Sequence, residues 1–171
     1  MKTFGFLMLG GILMLGCARQ DDPQTGATSQ PERSTEGVLL TEEPAGAKTV
    51  IEVRESAKDQ DEVVIVGRIG GSVEPFVEGR AAFTIVDQTL KACSDIPGDN
   101  CETPWDYCCE TSNLPGAQAL VKFVDADGNL IAENAKQWLK LKELQTVVVK
   151  GKAQREDGNL TVLATSLYVK K

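Results

Sequence analysis

Past residue 60 the chain alternates apolar and polar positions in short runs, the period-two signature of half-buried strands. The run EVVIVGRIGG at 62–71 is β-branched and ends on a glycine pair, and AAFTIVD at 81–87 sets Phe83 and Ile85 on one face. ALVKFVDADGNLI predicts a strand through Val124 and then a turn at Asp127 and Gly128. In TVVVKGKAQ, Val147, Val149, Gly151 and Ala153 share one face, with Thr146, Val148, Lys150 and Lys152 opposite. EDGN makes a hairpin turn, and LTVLATSLYVKK supplies the last strand.

Two stretches depart from this period. Behind Pro44, residues Ala47, Val50, Val53 and Ala57 recur at helical intervals and predict a short amphipathic helix, although TVIEV also reads as a strand. AENAKQWLKLKELQ predicts a second short helix with Trp138, Leu141 and Leu144 as its buried stripe, and the Leu139/Leu141 alternation leaves a strand open. The order is helix, two strands, a Cys-rich insert, strand, helix, two strands. Five strands with a helix between the third and fourth, closed by VVVKGKAQREDGNLTVLATSLYV, resemble the OB-fold. That resemblance covers 61–171 and implies a mainly β, five-stranded Greek-key barrel with one or two short helices. An α+β sheet of other topology is the alternative.

The first residues change where such a barrel is expected to work. One basic residue, Lys2, precedes an uncharged, mostly apolar run at 3–16, too short to span a bilayer comfortably and of the length of a secretory h-region. LMLGC resembles a bacterial lipobox, which implies cleavage before Cys17 and a lipid on that cysteine. The expected organisation is a signal peptide at 1–16, a disordered tether at 17–42 and a domain at 43–171. The tether is rich in Ser, Thr, Gln, Gly, Pro and charge and has almost nothing to bury. Lipid on Cys17 implies a protein anchored to a membrane without spanning it, on the extracytoplasmic side of a bacterial envelope.

Charge narrows the partners. The formal net charge is −7, which argues against a duplex-DNA binder. From residue 134 onward, however, eight Lys or Arg stand against three Asp or Glu. Lys150, Lys152 and Arg155, with Lys170 and Lys171, are a candidate basic face. On an OB-like barrel such a face would suit single-stranded nucleic acid or an oligosaccharide, but the chain has few aromatics and an envelope address. A peptide, glycan or envelope protein is the expected partner, and nucleic acid is not. The chain has no His, so no triad or Cys/His pair exists and no enzyme is expected. DADGN at 125–129 begins like a calcium loop, but its glycine comes early and no Glu closes it. GRIGG lacks a phosphate-loop lysine.

Four cysteines, Cys93, Cys101, Cys108 and Cys109, fall in the insert at 89–116, a long stretch broken by Pro97, Gly98, Pro104, Pro115 and Gly116. In an exported chain this even number first indicates disulfides. Bonding neighbours Cys108 and Cys109 would strain a small ring, so crossing pairs are expected, Cys93 with one of the doublet and Cys101 with the other. Such bonds would staple a loop without hydrophobic content of its own. The alternative is a thiolate metal site for zinc or copper, with Asp95, Asp99, Asp106 and Glu110 as further donors, although C-x7-C-x6-C-C has no C-x-x-C knuckle. A redox pair is a third reading. Trp105 and Tyr107 are expected to form the loop's small core. PWDYCCE, with GRIGG and FTIVD, resembles a pattern in uncharacterised bacterial envelope lipoproteins, which implies no activity. The functional expectation is a non-enzymatic, membrane-anchored interaction module without a resident cofactor.

Overall fold

The structure, a computed structural model, describes residues 33–171. The expected leader, Cys17 and the tether as far as residue 32 lie outside the described residues. Each predicted strand forms. In chain order the elements are β1 (Lys48–Thr49), α1 (Val50–Ser56), β2 (Glu62–Ile69), β3 (Ala82–Val86), α2 (Leu114–Ala117), β4 (Gln118–Phe123), α3 (Ala135–Trp138), β5 (Thr146–Glu156) and β6 (Asn159–Val169).

β2 pairs antiparallel with β3, and β3 with β4; β4 runs parallel to β6, β6 antiparallel to β5, and β5 returns antiparallel to β2. These five strands close a barrel, which removes the unpaired edges of an open sheet. With α3 between β4 and β5, the architecture is the OB-like barrel that the sequence resembles, and the α+β alternative does not apply.

Closure needs one close approach. Gly151 sits where the β5–β6 register shifts, and a Cβ there would stand 2.2 Å from the Leu163 carbonyl oxygen. Glycine lets β5 bend while paired to β2 on one side and β6 on the other. Alternation then fills the interior with Ile65, Phe83, Ile85, Val121, Phe123, Val147, Val149, Val162 and Leu167. Val148 is buried as well, on the face predicted to be outer, between its paired neighbours Val66 and Tyr168.

Two segments use backbone that the ring leaves free. β1 runs parallel to β2 at Ile65 and Val66, ahead of Arg68 and Ile69, which pair with β3. Near the end of β6, Leu40 N–H donates to the Leu167 carbonyl and Leu167 N–H to that of Val38, each at 2.8 Å. Val38 and Leu39 are partly buried against the core, so the folded part begins before residue 43, inside the stretch expected to be tether. A short VLL run gains both a hydrogen-bonded edge and apolar cover there.

The second predicted helix is only four residues long. Trp138 and Leu141 are buried as expected, with Trp138 edge-on to Phe123 at 5.6 Å. Leu144 leaves the stripe. It lies beyond the helix in left-handed backbone (φ 63°) and packs with a different cluster.

α1 is set by its N-terminus. Thr49 Oγ1 accepts from Glu52 N–H at 3.2 Å, and Glu52 Oε2 accepts from Thr49 N–H at 2.8 Å, a reciprocal cap. Val50 and Val53 enter the core. The wholly buried Asp87, just past β3, accepts from Ile51 N–H at 2.8 Å and from Thr89 N–H and hydroxyl at 2.9 and 2.8 Å. Burial pushes its carboxyl up, but the bonds from Ile51, Thr89 and the Thr49 hydroxyl outweigh that and hold it below the ordinary carboxylate range. A depressed folded-state pKa stabilises the protein above the unfolded value, and that stability is lost as pH falls through the folded one. Asp87→Asn is therefore expected to cost about 1–3 kcal/mol at neutral pH. In thermal melts, its deficit against the parent should shrink as pH drops below about 4.

Candidate functional site

The insert leaves the barrel at Val86 and returns at Gln118, which face each other across β3 and β4. It folds as three single 3-10 turns, Cys93–Asp95, Pro104–Asp106 and Cys108–Glu110, and then α2. α2 corrects the expectation that proline and glycine exclude regular structure here: Pro115 lies in the first turn, where a missing N–H costs nothing. The insert also has hydrophobic content of its own. Leu90, Ala92, Tyr107, Leu114 and Ala117 pack with Val86 as a second core cluster, joined at its margin by Ile51 and Leu144.

Tyr107 anchors this cluster. Its side chain is fully buried while its backbone is left-handed (φ 57°), an unusual state for an aromatic residue. The conformation is held from both sides: Glu110 N–H donates to its carbonyl at 2.8 Å, and Cys108 N–H donates to Asp106 Oδ1 at 2.8 Å. The space for it comes from the glycine pair at the end of β2. A Cβ on Gly70 would lie 2.5 Å from the Trp105 carbonyl oxygen and 2.8 Å from Tyr107 Cε2. Gly71 N–H donates to that carbonyl at 2.8 Å, and Trp105 Nε1 donates to the Val73 carbonyl at 3.0 Å. Arg68 of β2 adds an ion pair to Asp95 at 2.5 Å. The motifs GRIGG and PWDY are thus two halves of one contact. Of the two aromatics expected in the loop's core, Tyr107 is in it and Trp105 lies half-buried outside. The Tyr107 hydroxyl is buried without a hydrogen-bond partner among the described residues; burial pushes its pKa up.

This docking gathers the cysteines. All four are thiols, and no disulfide is formed among the described residues. Cys108 Sγ is the hub, 3.3 Å from Cys93 Sγ, 3.8 Å from Cys101 and 4.0 Å from Cys109, with Cys93 and Cys109 3.9 Å apart. Of the two expected crossing patterns, only Cys101–Cys108 with Cys93–Cys109 has both contacts within 4 Å. Cys93 is buried, Cys101 half-buried, and Cys108 and Cys109 exposed.

Two carboxylates fix the sulfurs. Asp99 Oδ1 accepts from Cys101 N–H and Asp106 Oδ1 from Cys108 N–H, each at 2.8 Å. Asp106 Oδ2 also accepts from the Thr103 hydroxyl at 2.8 Å, and Cys109 Sγ lies 3.4 Å from Asp99 Oδ2. Asp106 shares a 4.8 Å envelope with the sulfurs of Cys93, Cys101 and Cys108, and Asp99 with those of Cys93 and Cys109. Asp95, by contrast, is engaged by Arg68, and the Glu110 carboxylate accepts from Asn113 Nδ2 at 2.7 Å. Burial pushes the Cys93 thiol up, but hydrogen bonds from Cys108, Cys109 and Cys101 outweigh it and hold Cys93 below the ordinary thiol range. Hydrogen bonding with Cys93, the largest cause for each, pushes the Cys108 and Cys109 thiols up, and the Asp99 carboxylate adds to this at Cys109. The repeated spacing D-x-C, at Asp99–Cys101 and Asp106–Cys108, is the sequence signal for these carboxylates.

The residues of the candidate basic face have these surroundings. Lys150 and Lys152 are exposed on β5, the Arg155 guanidinium donates to the Arg54 carbonyl, and Lys170 pairs with Glu43 at 2.8 Å. DADGN is a turn, with Asp125 Oδ1 accepting from the N–H groups of Asp127 and Asn129 at 3.0 and 2.9 Å.

No protein-family model matches the chain, and no curated protein sequence does. Among solved structures it is similar to the hypothetical protein YgiW from E. coli, with a TM-score of 0.38 and 11% identity over 78% of this chain and 96% of that one.

Overpacking at the glycine notch tests the docking. Gly70→Ala is expected to destabilise the protein by about 1–3 kcal/mol. It should also expose Cys93, now 1% accessible, to alkylation at a rate approaching that of Cys108. If mass spectrometry finds Cys93 still protected, docking does not depend on this position.

Proposed function

We propose that this chain is a lipid-anchored, extracytoplasmic module that binds rather than catalyses, with the OB-like barrel as rigid support and the Cys-rich insert as the binding element. The convergence of four thiols from three separate segments of the insert within 3.3–4.0 Å of Cys108 or Cys93 supports this reading. Loops positioned by a stiff framework are where binding groups concentrate, and the insert is held by its own core and by the Gly70 notch. The leader ending in LMLGC supports anchoring through Cys17.

A second reading rests on the distances of 3.8 Å for Cys101–Cys108 and 3.9 Å for Cys93–Cys109. In an oxidising compartment these contacts suit two staples, each worth roughly 2–3 kcal/mol.

Anchoring is tested by expressing the full chain in a bacterium that processes lipoproteins. The parent should incorporate labelled fatty acid and partition into detergent, and Cys17→Ser should do neither. A parent that stays aqueous and unlabelled overturns the anchored part of the proposal. The insert's role predicts a reactivity order in the folded, reduced protein: Cys108 and Cys109 alkylate first, and Cys93 only on unfolding.

A further inference from the structure

Resting on the reading of the insert as a binding element, we propose that its ligand is a single thiophilic d10 cation of the Zn2+ class, held by the thiolates of Cys93, Cys101, Cys108 and Cys109. Zinc–thiolate bonds are about 2.3 Å long, so a tetrahedral centre places its sulfurs about 3.8 Å apart. Four of the six sulfur–sulfur edges measure 3.3, 3.8, 3.9 and 4.0 Å, on both sides of that value. Cys93, Cys101 and Cys108 already share one 4.8 Å envelope, and Cys109 joins them through its contacts with Cys93 and Cys108, so binding draws Cys109 toward Cys101. Cys108 has three sulfur neighbours and a disulfide can satisfy only one of them, whereas a central ion satisfies all three.

The surroundings suit such a centre. Metal ligands need partners that fix their orientation. The Asp99 and Asp106 carboxylates supply these through the backbone N–H groups of Cys101 and Cys108. The exposed Cys108 and Cys109 leave an entry path on the solvent side, and buried Cys93 closes the other. Without histidine in the chain, the donors are sulfur and carboxylate oxygen, a set that selects thiophilic ions over Mg2+ or Ca2+. Beside two carboxylates, a dication leaves four thiolates less negative than a monocation does, so the assignment is to Zn2+ rather than Cu+. Loading displaces the thiol protons and breaks no other bond, so affinity rises with pH.

The test uses the purified full chain, reduced and free of oxygen, titrated with Zn2+ alone against a chromophoric chelator. Co2+ serves as the optical probe of thiolate ligation and tetrahedral geometry. The proposal expects one equivalent bound, protection of all four insert thiols from alkylation, and retention of Zn2+ against one equivalent of Cu+ supplied under the same conditions. Cys108→Ser, at an exposed position, should weaken binding by on the order of 100-fold, and Asp106→Ala by roughly 10-fold. Three results overturn the proposal: no stoichiometric ion, equal affinity in Cys108→Ser, or a chain isolated with Cys101–Cys108 and Cys93–Cys109 bonds that binds nothing after reduction. Preferential uptake of Cu+ overturns the assignment to Zn2+. Absence of a bound ion with Cys17-dependent partitioning intact removes the ion and leaves the anchored module standing. Failed partitioning with one bound Zn2+ removes the anchor alone.

Discussion

A methyl group at position 70 would stand 2.5 Å from one backbone carbonyl and 2.8 Å from an aromatic ring, so the docking of the insert depends on the hydrogen there. β2 carries that notch at its end. The same strand pairs with β1, β3 and β5, so the insert rests on a strand held by three others. Rigidity passes outward from it. The notch seats Tyr107, Tyr107 forces a left-handed residue between two 3-10 turns, and those turns aim Cys108 at the other sulfurs. Strain of this kind persists where surrounding contacts over-determine it. Here the contacts are the Asp106 carboxylate, the Trp105 carbonyl and the Arg68–Asp95 pair.

The barrel was legible because its signal is local. Period-two alternation names the strands, and the bend at Gly151 stands out in TVVVKGKAQ because a strand interior otherwise avoids glycine. Misreadings arose where local composition and tertiary contact disagree. Val38, Leu39 and Leu40 sit in a polar stretch whose average predicts disorder, yet a free edge on β6 captures them. Leu144 keeps helical spacing with Trp138 and Leu141, but the helix stops after Trp138 and the chain turns it elsewhere.

The insert was legible in content and opaque in arrangement. Its cysteines could be counted and its aromatics named. Which sulfur becomes the hub, however, depends on contacts between Gly70 and Tyr107, 37 positions apart in sequence, and on hydrogen bonds from Asp99 and Asp106. No periodicity encodes these. Asp87 is the counterpart on the other side of β3. It reads as an ordinary polar end to a strand, and it ties the start of α1 to the barrel through the Ile51 N–H, while Thr89 holds its other oxygen.

Val86 and Gln118 stand opposite each other on paired strands, so the insert departs from and rejoins the barrel at a single point. A loop with both ends clamped together imposes no tension on what carries it, and doubling its length adds only about 0.6 kcal/mol of closure entropy. The thiol-bearing unit is therefore modular in the topological sense. It can lengthen, shorten or be exchanged for another without altering the ring of strands beneath, as long as whatever replaces it fits the glycine notch.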